Sequence, residues 1–305
     1  MAGTISLQQP IDCTLGQSCY IQNYVDRDPG PGAGDVGCGH LTYDGHKGTD
    51  FALPNEAAML AGVQVLAATS GRVKAIRDGE PDRAFVNGAS VAGKDCGNGI
   101  LVEIGDGWET QYCHMRDGSI AVKPGAQITA GEVLGLVGQS GKAEFPHLHL
   151  SLRHNGKIID PFDPDMAQTC AHNIAQQELW AKPIPYTSSG LLQLGLADTP
   201  PRYEAIKSGI APVASLPRDG AALVVWVYGF GAQAGDTITL RLQGPDGFHF
   251  AHDSTMTKPK ALFFQFAGKK TPPGGWPPGP YQGTVTLRRD GAVIAQRSQT
   301  ITLGR

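Results

Sequence analysis

The stretch that decides the fold is Pro146-His147-Leu148-His149-Leu150, within the longer run "GQSGKAEFPHLHLSLR". Successive side chains of a β-strand point to opposite faces. His147 and His149 therefore share one face, about 7 Å apart along the backbone, and the leucines take the other face. Two adjacent imidazoles make a poor hydrophobic core but a good metal or proton-transfer site. The stretch therefore predicts a strand with a metal or proton-transfer site on one face and leucines on the other.

Further metal-binding side chains lie earlier in the chain. His46 and Asp50 are in "DGHKGTDFALP", and His114 follows a predicted strand in "TQYCHMRDG". A catalytic zinc site needs three protein ligands with nitrogen or oxygen donors, an open position for water, and a nearby group that moves protons. His46, Asp50 and one histidine of the His147/His149 pair supply three ligands. The other histidine and His114 remain for proton transfer or for stabilising an oxyanion.

Each of these motifs alone has a structural explanation, such as a hydrogen-bonded loop pair for HxxxD. Their order and context are specific. The motifs "HKGTD", "YCH" and "GQSGKAEFPHLHLSLR", followed by Asp160-Pro161, resemble the pattern of the lysostaphin/LytM-type zinc metalloendopeptidases, which cleave peptide bonds in bacterial peptidoglycan. The resemblance covers about residues 41–165. HExxH is absent, so a thermolysin-type arrangement is not expected.

The resemblance implies a role for each residue. His46, Asp50 and His149 would bind one Zn²⁺ per chain, and His114 and His147 would be the catalytic histidines. The substrate would be a peptidoglycan peptide, either a stem-peptide cross-link or a glycine-rich bridge. The alternative is a catalytically silent adaptor that regulates or binds cell-wall enzymes. One departure is Phe145, which stands where the family often has glycine and which we expect to narrow one wall of the groove.

Composition excludes several classes of function. The chain has 305 residues, 41% of them hydrophobic and 17% charged, which is typical of a globular protein. Its net charge is −3 and it has no basic stripe, so nucleic acid is not an expected partner. No apolar run approaches the roughly 18 residues that a membrane span needs. The 41 glycines and 22 prolines, with short runs of β-branched residues, favour a mostly β protein.

The six cysteines suit three disulfides, all within the first 170 residues. A predicted hairpin with Gly105-Asp106-Gly107 as its turn brings Cys96 towards Cys113. Cys13–Cys19 closes a local loop, and Cys38 and Cys170 pair by elimination. Disulfides favour a periplasmic or secreted bacterial protein. The N-terminus lacks the charged and apolar regions of a signal peptide, so either the protein is cytosolic or the sequence begins after a removed signal, and the cysteines favour the second explanation.

We expect antiparallel β-sheets in two domains. The predicted parts are an irregular cysteine-bearing segment (1–40), a LytM-like peptidase domain (41–180), a linker (181–209) and a C-terminal β-sandwich (210–305). The sandwich is predicted to be immunoglobulin-like or fibronectin-like because about seven short strands fit into about 95 residues. A short helix is expected within 167–182.

Two regions outside the motifs have open roles. Segment 1–40 either stabilises the domain or lies across the cleft as an inhibitor. His40 is a spare ligand for such a blocked state, but we expect it to be a solvent-exposed loop histidine. The C-terminal domain is a candidate contact for the cell wall or for a protein partner. Trp276 and Tyr281, in "PPGGWPPGPY", are candidates for stacking on sugars or for packing in a loop, and packing is the role that we expect.

Overall fold

The computed structural model describes residues 5–86, 89–165, 178–210 and 213–304. The chain divides into two compact units, Met1–Ser188 and Ser189–Arg305. Both are built mainly from antiparallel strands, which confirms the predicted mostly β class. The described part of the chain has no helix with the length and apolarity that crossing a membrane requires.

The first unit contains ten described strands and one described helix. They are β1 (Tyr20–Asn23), β2 (Thr49–Ala52), α1 (Glu56–Ala61), β3 (Gln64–Leu66), β4 (Gly71–Arg77), β5 (Asn98–Gly105), β6 (Trp108–Met115), β7 (Gln127–Ile128), β8 (Val133–Leu136), β9 (His147–His154) and β10 (Lys157–Ile159). Among the described residues, eight strands form one sheet in the order β1-β2-β9-β6-β5-β4-β7, with β10 also paired to β9. Strands β3 and β8 form a separate pair.

The central strand β9 follows the alternation that its sequence predicts. Leu148, Leu150 and Leu152 on one face are at most 1% exposed and form part of the hydrophobic core. Each such side chain contributes roughly 1.5–3 kcal/mol on burial. The opposite face carries His147, His149 and Ser151. The leucine face therefore anchors the strand and leaves the histidine face for the site.

The predicted hairpin and two predicted disulfides are confirmed. Strands β5 and β6 are joined by Asp106 and Gly107, both at positive φ (49° and 80°), which is the geometry of a two-residue hairpin turn. Disulfides join Cys13 to Cys19 and Cys96 to Cys113. Cys38 is also disulfide-bonded. Its expected partner, Cys170, and most of the predicted helix 167–182 lie outside the described residues.

The N-terminal segment, expected to be irregular, contributes a strand to the main sheet. Strand β1 pairs antiparallel with β2, which carries Asp50. The segment is also buried: Leu7, Ile11 and Tyr24 are at most 1% exposed. Tyr24 packs edge-on against Phe162, with ring centroids 5.1 Å apart. Apolar contacts of this kind hold the segment in the core of the first unit.

The second unit contains eight described strands, one described α-helix and one described 3₁₀-helix (Pro245–Gly247). The strands and the α-helix are β11 (Gly190–Ala197), α2 (Tyr203–Ser208), β12 (Ser215–Pro217), β13 (Ala222–Ala232), β14 (Thr237–Gln243), β15 (His249–Thr255), β16 (Lys260–Lys270), β17 (Gly279–Arg289) and β18 (Ala292–Gly304). Within the described range they form a three-stranded sheet, β11-β13-β16, and a five-stranded sheet, β12-β18-β17-β14-β15. One apolar cluster contains side chains from both sheets, including Val225 and Val285, as expected for a β-sandwich.

One expectation about the second unit differs from the structure, and another, the packing of Trp276 and Tyr281, is confirmed. Segment 181–209, expected to be a linker, contains β11 and α2; β11 pairs with β13 because its leucines complete the apolar sheet. Trp276 and Tyr281 are 4% and 0% exposed and do not form a surface platform. Both pack against Phe248, and their polar groups are satisfied inside the unit: the Trp276 indole N–H donates to Thr271 (3.0 Å) and the Tyr281 hydroxyl donates to Pro277 O (3.0 Å).

Candidate metal centre and active site

Strand pairing places the candidate ligands in one row. Asp50 on β2 lies directly opposite His149 on β9, and Ala52 lies opposite His147. Side chains directly opposite each other in an antiparallel pair lie about 5 Å apart and share a face. His46 lies four residues before Asp50, in the loop that leads into β2. The structure therefore brings His46, Asp50 and His149 together from positions about 100 residues apart.

The three candidate ligand atoms converge on one point. Asp50 Oδ1 is 2.8 Å from His149 Nδ1 and 3.2 Å from His46 Nε2, and the two nitrogens are 3.2 Å apart. Zn–N and Zn–O bonds of about 2.0–2.1 Å in a tetrahedron place ligand atoms about 3.3 Å from one another. All three residues are at least largely buried. The spacing matches three corners of a zinc tetrahedron.

Hydrogen bonds on the outer side of each imidazole leave a lone pair facing that point. His46 Nδ1 donates to the carbonyl oxygen of Tyr24 (2.7 Å), so its Nε2 carries the lone pair. Ser151 Oγ donates to Lys47 O (2.7 Å) and accepts from His149 Nε2 (3.0 Å), so His149 Nδ1 carries the lone pair. Two lone pairs and a carboxylate oxygen that face one another repel unless a cation lies between them. The residues fit Zn²⁺.

Two further histidines lie beside the ligand cluster. The rings of His114 and His147 are 4.6 Å apart, and the His147 Nε2 is 3.6 Å from Asp50 Oδ1. His147 Nδ1 donates to Phe145 O (2.8 Å), and His114 Nδ1 donates to Ser140 O (2.8 Å). Each ring therefore presents Nε2 as a proton acceptor. Burial lowers the pKa of both imidazoles, that of His114 well below its ordinary value, so that they are neutral bases near pH 7.

The backbone at His114 departs from regular strand geometry. Its φ is 63°, in the left-handed region that residues other than glycine rarely adopt. Cys113 lies opposite His149 in the ladder, so regular alternation would turn His114 to the other face. The positive φ instead brings the His114 ring against His147 and within 5.9 Å of His149. Backbone strain of this kind concentrates at functional sites.

The charge of Asp50 is maintained despite its burial. Burial alone would raise the pKa of Asp50, but the neighbouring imidazoles of His46, His147 and His149 hold it well below its ordinary value. The site therefore offers one anionic oxygen and two imidazole nitrogens, a donor set that suits zinc.

Aromatic side chains flank the cluster on two sides. Phe145 packs on the ring of His147 with centroids 4.5 Å apart, and Tyr43 packs on His46 at 4.6 Å. Tyr43 is 56% exposed, so part of its ring faces the surrounding solvent. The bulk expected from Phe145 thus lies directly against one of the predicted catalytic histidines.

The structure brings together all five predicted site residues and leaves His40 out. His40 is exposed and is absent from the metal-capable group found among the described residues. The sequence interpretation missed Ser151, although a residue two positions after His149 on a strand shares its face. It also missed Gly48, where a Cβ would come within 2.5 Å of His149 Nε2. Asn23 and Tyr24, which contact Asp50 and His46, carry no sequence signal.

Known proteins share the part of the chain that contains the site. Residues 44–161 match Peptidase family M23. The cell division protein DipM of Caulobacter vibrioides is 41% identical over 71 residues, which are 22% of this chain and 11% of that protein. The peptidoglycan DD-endopeptidase ShyA of Vibrio cholerae is 30% identical over 115 residues, 38% of this chain and 22% of that protein. The chain thus spans less than a quarter of the length of either relative.

Among solved structures, the catalytic domain of the prophage-encoded M23 protein EnpA from Enterococcus faecalis, solved as a point mutant, is similar to this chain. The identity is 23% and the TM-score 0.35, with 53% of this chain and 97% of that chain covered. The family match includes His46, Asp50, His114, His147 and His149. Residues 44–161 of this chain form a domain of peptidase family M23.

Proposed function

We propose that this chain is a zinc-dependent endopeptidase that hydrolyses peptide bonds in bacterial peptidoglycan. The observation that carries the proposal is the convergence of two imidazole lone pairs and one carboxylate oxygen beside two neutral histidines. The membership of residues 44–161 in peptidase family M23 and the similarity to a peptidoglycan DD-endopeptidase support the same reaction and substrate class.

Zinc would be held by His46 Nε2, Asp50 Oδ1 and His149 Nδ1. When bound there, it would lower the pKa of a water molecule towards about 7 and polarise the scissile carbonyl group.

His147 and His114 would move protons beside the scissile bond. Phe145 O and Ser140 O fix the tautomer of each ring so that both Nε2 atoms can accept a proton. One imidazole would take the proton of the attacking water and later return it to the leaving amine. The imidazolium formed in this way would also stabilise the negative charge that develops on the carbonyl oxygen until the proton is returned. Imidazoles that are neutral at neutral pH suit this role because they can accept a proton at the start of the reaction.

We place the protein in the bacterial periplasm or outside the cell. Its disulfides support this location, since such bonds persist in oxidising compartments. The proposed substrate lies in the same compartments.

The test measures the zinc content of the purified full chain and the release of soluble fragments from purified peptidoglycan, with and without a chelator. We expect one zinc per chain and release that the chelator abolishes and added Zn²⁺ restores. The masses of the fragments would separate stem-peptide cleavage from cleavage of glycine-rich bridges. A chain that binds no zinc and releases nothing would support the alternative of a silent adaptor and refute the proposal.

A further inference from the structure

The strand that precedes the matched family domain contains a β-bulge at the metal centre. In the pairing of β1 with β2, Ile21 lies opposite Phe51, but Asn23 lies opposite Asp50. A regular antiparallel ladder would place Gln22 opposite Asp50. The extra residue therefore shifts the register so that the side chain of Asn23 shares a face with that of Asp50. Bulges next to active sites commonly redirect a side chain in this way.

The side-chain amide of Asn23 gives the two carboxylate oxygens of Asp50 different roles. Asn23 Nδ2 donates to Asp50 Oδ2 at 2.8 Å. The other oxygen, Oδ1, is the one that lies 2.8 Å from His149 Nδ1 and 3.2 Å from His46 Nε2. Because Oδ2 accepts this hydrogen bond, it is held away from the point on which the three candidate ligand atoms converge. Asp50 is thereby oriented to bind a cation through one oxygen only.

The same segment orients the second ligand. The carbonyl oxygen of Tyr24 accepts from His46 Nδ1 (2.7 Å), and the Asp26 backbone N–H donates to His46 O (2.9 Å). Two of the three candidate zinc ligands are thus held by residues 23–26. These residues lie outside the range 44–161 that matches the family.

Covalent and polar contacts fix this segment in turn. The Cys13–Cys19 disulfide ends one residue before β1 begins. Further along, Asp35 accepts backbone hydrogen bonds from Gly37, Gly39 and Leu41, which shape the loop that returns towards His46. The strand of this segment, β1, lies in the sheet beside β2, which carries Asp50.

We infer that Asn23 is a positioning residue of the zinc site, which makes the disulfide-stapled N-terminal strand an integral part of the metal centre. The inference rests on the proposed function, since it assumes that His46, Asp50 and His149 bind Zn²⁺. Outer hydrogen bonds to metal ligands typically contribute 10- to 100-fold to metal affinity. Asn23 should act on affinity through the orientation of Asp50, without touching the metal.

The test compares the Zn²⁺ affinity of the full chain with that of Asn23→Leu. Leucine keeps the size and branching of asparagine and removes only the amide group. Metal-free protein is titrated with Zn²⁺ in competition with a chromophoric chelator, and the thermal melt of each metal-free protein verifies that it is folded. We expect the dissociation constant of Asn23→Leu to rise about 10- to 100-fold. Should this variant not fold, Asn23→Ala, which adds no bulk, is titrated in the same way.

Asn55→Ala is the matched control. Asn55 also makes one side-chain hydrogen bond in the same unit, accepting from Ala58 N (2.8 Å) at the start of α1. Its loss should lower the melting temperature and leave the Zn²⁺ affinity unchanged, which separates positioning from general stability.

Each outcome bears on a different claim. An Asn23→Leu protein that binds Zn²⁺ within about twofold of the parent overturns the positioning role and leaves the proposed zinc site intact. A parent chain that binds no Zn²⁺ at these concentrations refutes the proposed function instead.

Discussion

Two buried aspartates, one in each unit, show what separates a functional carboxylate from a structural one. Asp50 and Asp236 are 2% and 1% exposed. Both oxygens of Asp236 are bound by Arg289, at 2.8 Å each, and Oδ2 also accepts from the Gln233 N–H. Asp50 instead directs Oδ1 at two imidazole lone pairs. A buried carboxylate that meets cations and N–H donors is satisfied, whereas one that meets lone pairs needs a metal.

A third buried carboxylate completes the comparison. Asp160, 0% exposed, accepts from the Phe162 N–H at 2.9 Å through Oδ1, and its Oδ2 has no hydrogen-bond partner among the described residues. Burial raises the pKa of Asp160 to about 7. The three aspartates therefore represent three ways to bury a carboxyl group: facing a metal site, in an ion pair, and with a raised pKa.

The largest expected effect comes from removing a ligand. His149→Ala should lose zinc and lower peptidoglycan hydrolysis by about 10³-fold or more, because the metal contributes several kcal/mol to the transition state. His154→Ala is the matched control. His154 lies on the same strand, stacked on Trp108 with ring centroids 4.3 Å apart and away from the site, and should leave zinc content and activity unchanged. Metal analysis and fragment release measure both. Full activity in His149→Ala would contradict the assigned ligand set.

The next effect separates proton transfer from metal binding. His147→Ala and His114→Ala should keep one zinc per chain and lose about 10²- to 10⁴-fold in kcat, the usual contribution of general acid–base catalysis. Equal loss of zinc in these variants would show that one of them is a ligand, and the assignment of roles would have to change.

The third prediction concerns pH and Asp160. Because its pKa is raised from the ordinary 3.8 to about 7, the folded chain binds this proton more tightly than the unfolded chain does. The resulting stabilisation is fully present below about pH 4 and is lost as the pH rises through about 7. The difference is on the order of 4 kcal/mol at most. Denaturant titrations at pH 5 and pH 8 should show it.

Asp160→Asn is the control for this pH dependence. Asparagine does not titrate, so the variant should lose that part of the pH dependence while its zinc content stays unchanged. An identical pH profile in both proteins would show that Asp160 is ionised in the folded state.

The smallest effect tests the structural carboxylate. Asp236→Ala leaves Arg289 without its buried partner, and we expect the free energy of unfolding to fall by about 3 kcal/mol. Zinc affinity and hydrolysis per folded molecule should not change. Asp219→Ala, at an exposed position of the same unit, should stay within about 0.5 kcal/mol of the parent. A loss of zinc in Asp236→Ala would contradict the assignment of a purely structural role to Asp236.

Local patterns in the sequence correctly predicted local features of the structure. The alternation of His147, Leu148, His149 and Leu150 predicts both faces of β9 because a strand repeats every two residues. The Asp106-Gly107 turn predicts the β5–β6 hairpin and, through it, the Cys96–Cys113 disulfide. The packing expected for Trp276 and Tyr281 is also observed. The sequence does not show what they pack against, because their shared neighbour Phe248 is brought near only by folding.

The sequence by itself determined the mostly β class, the family resemblance and the five residues of the candidate site, because these are carried by local patterns and by motif order. Only the tertiary structure decided which groups hold those residues in place. The bulge that sets Asn23 opposite Asp50, the carbonyl of Tyr24 on His46, and the positive φ of His114 all arise from strand register and backbone geometry. Register is a relation between segments distant in the chain, so no stretch of sequence read alone contains it.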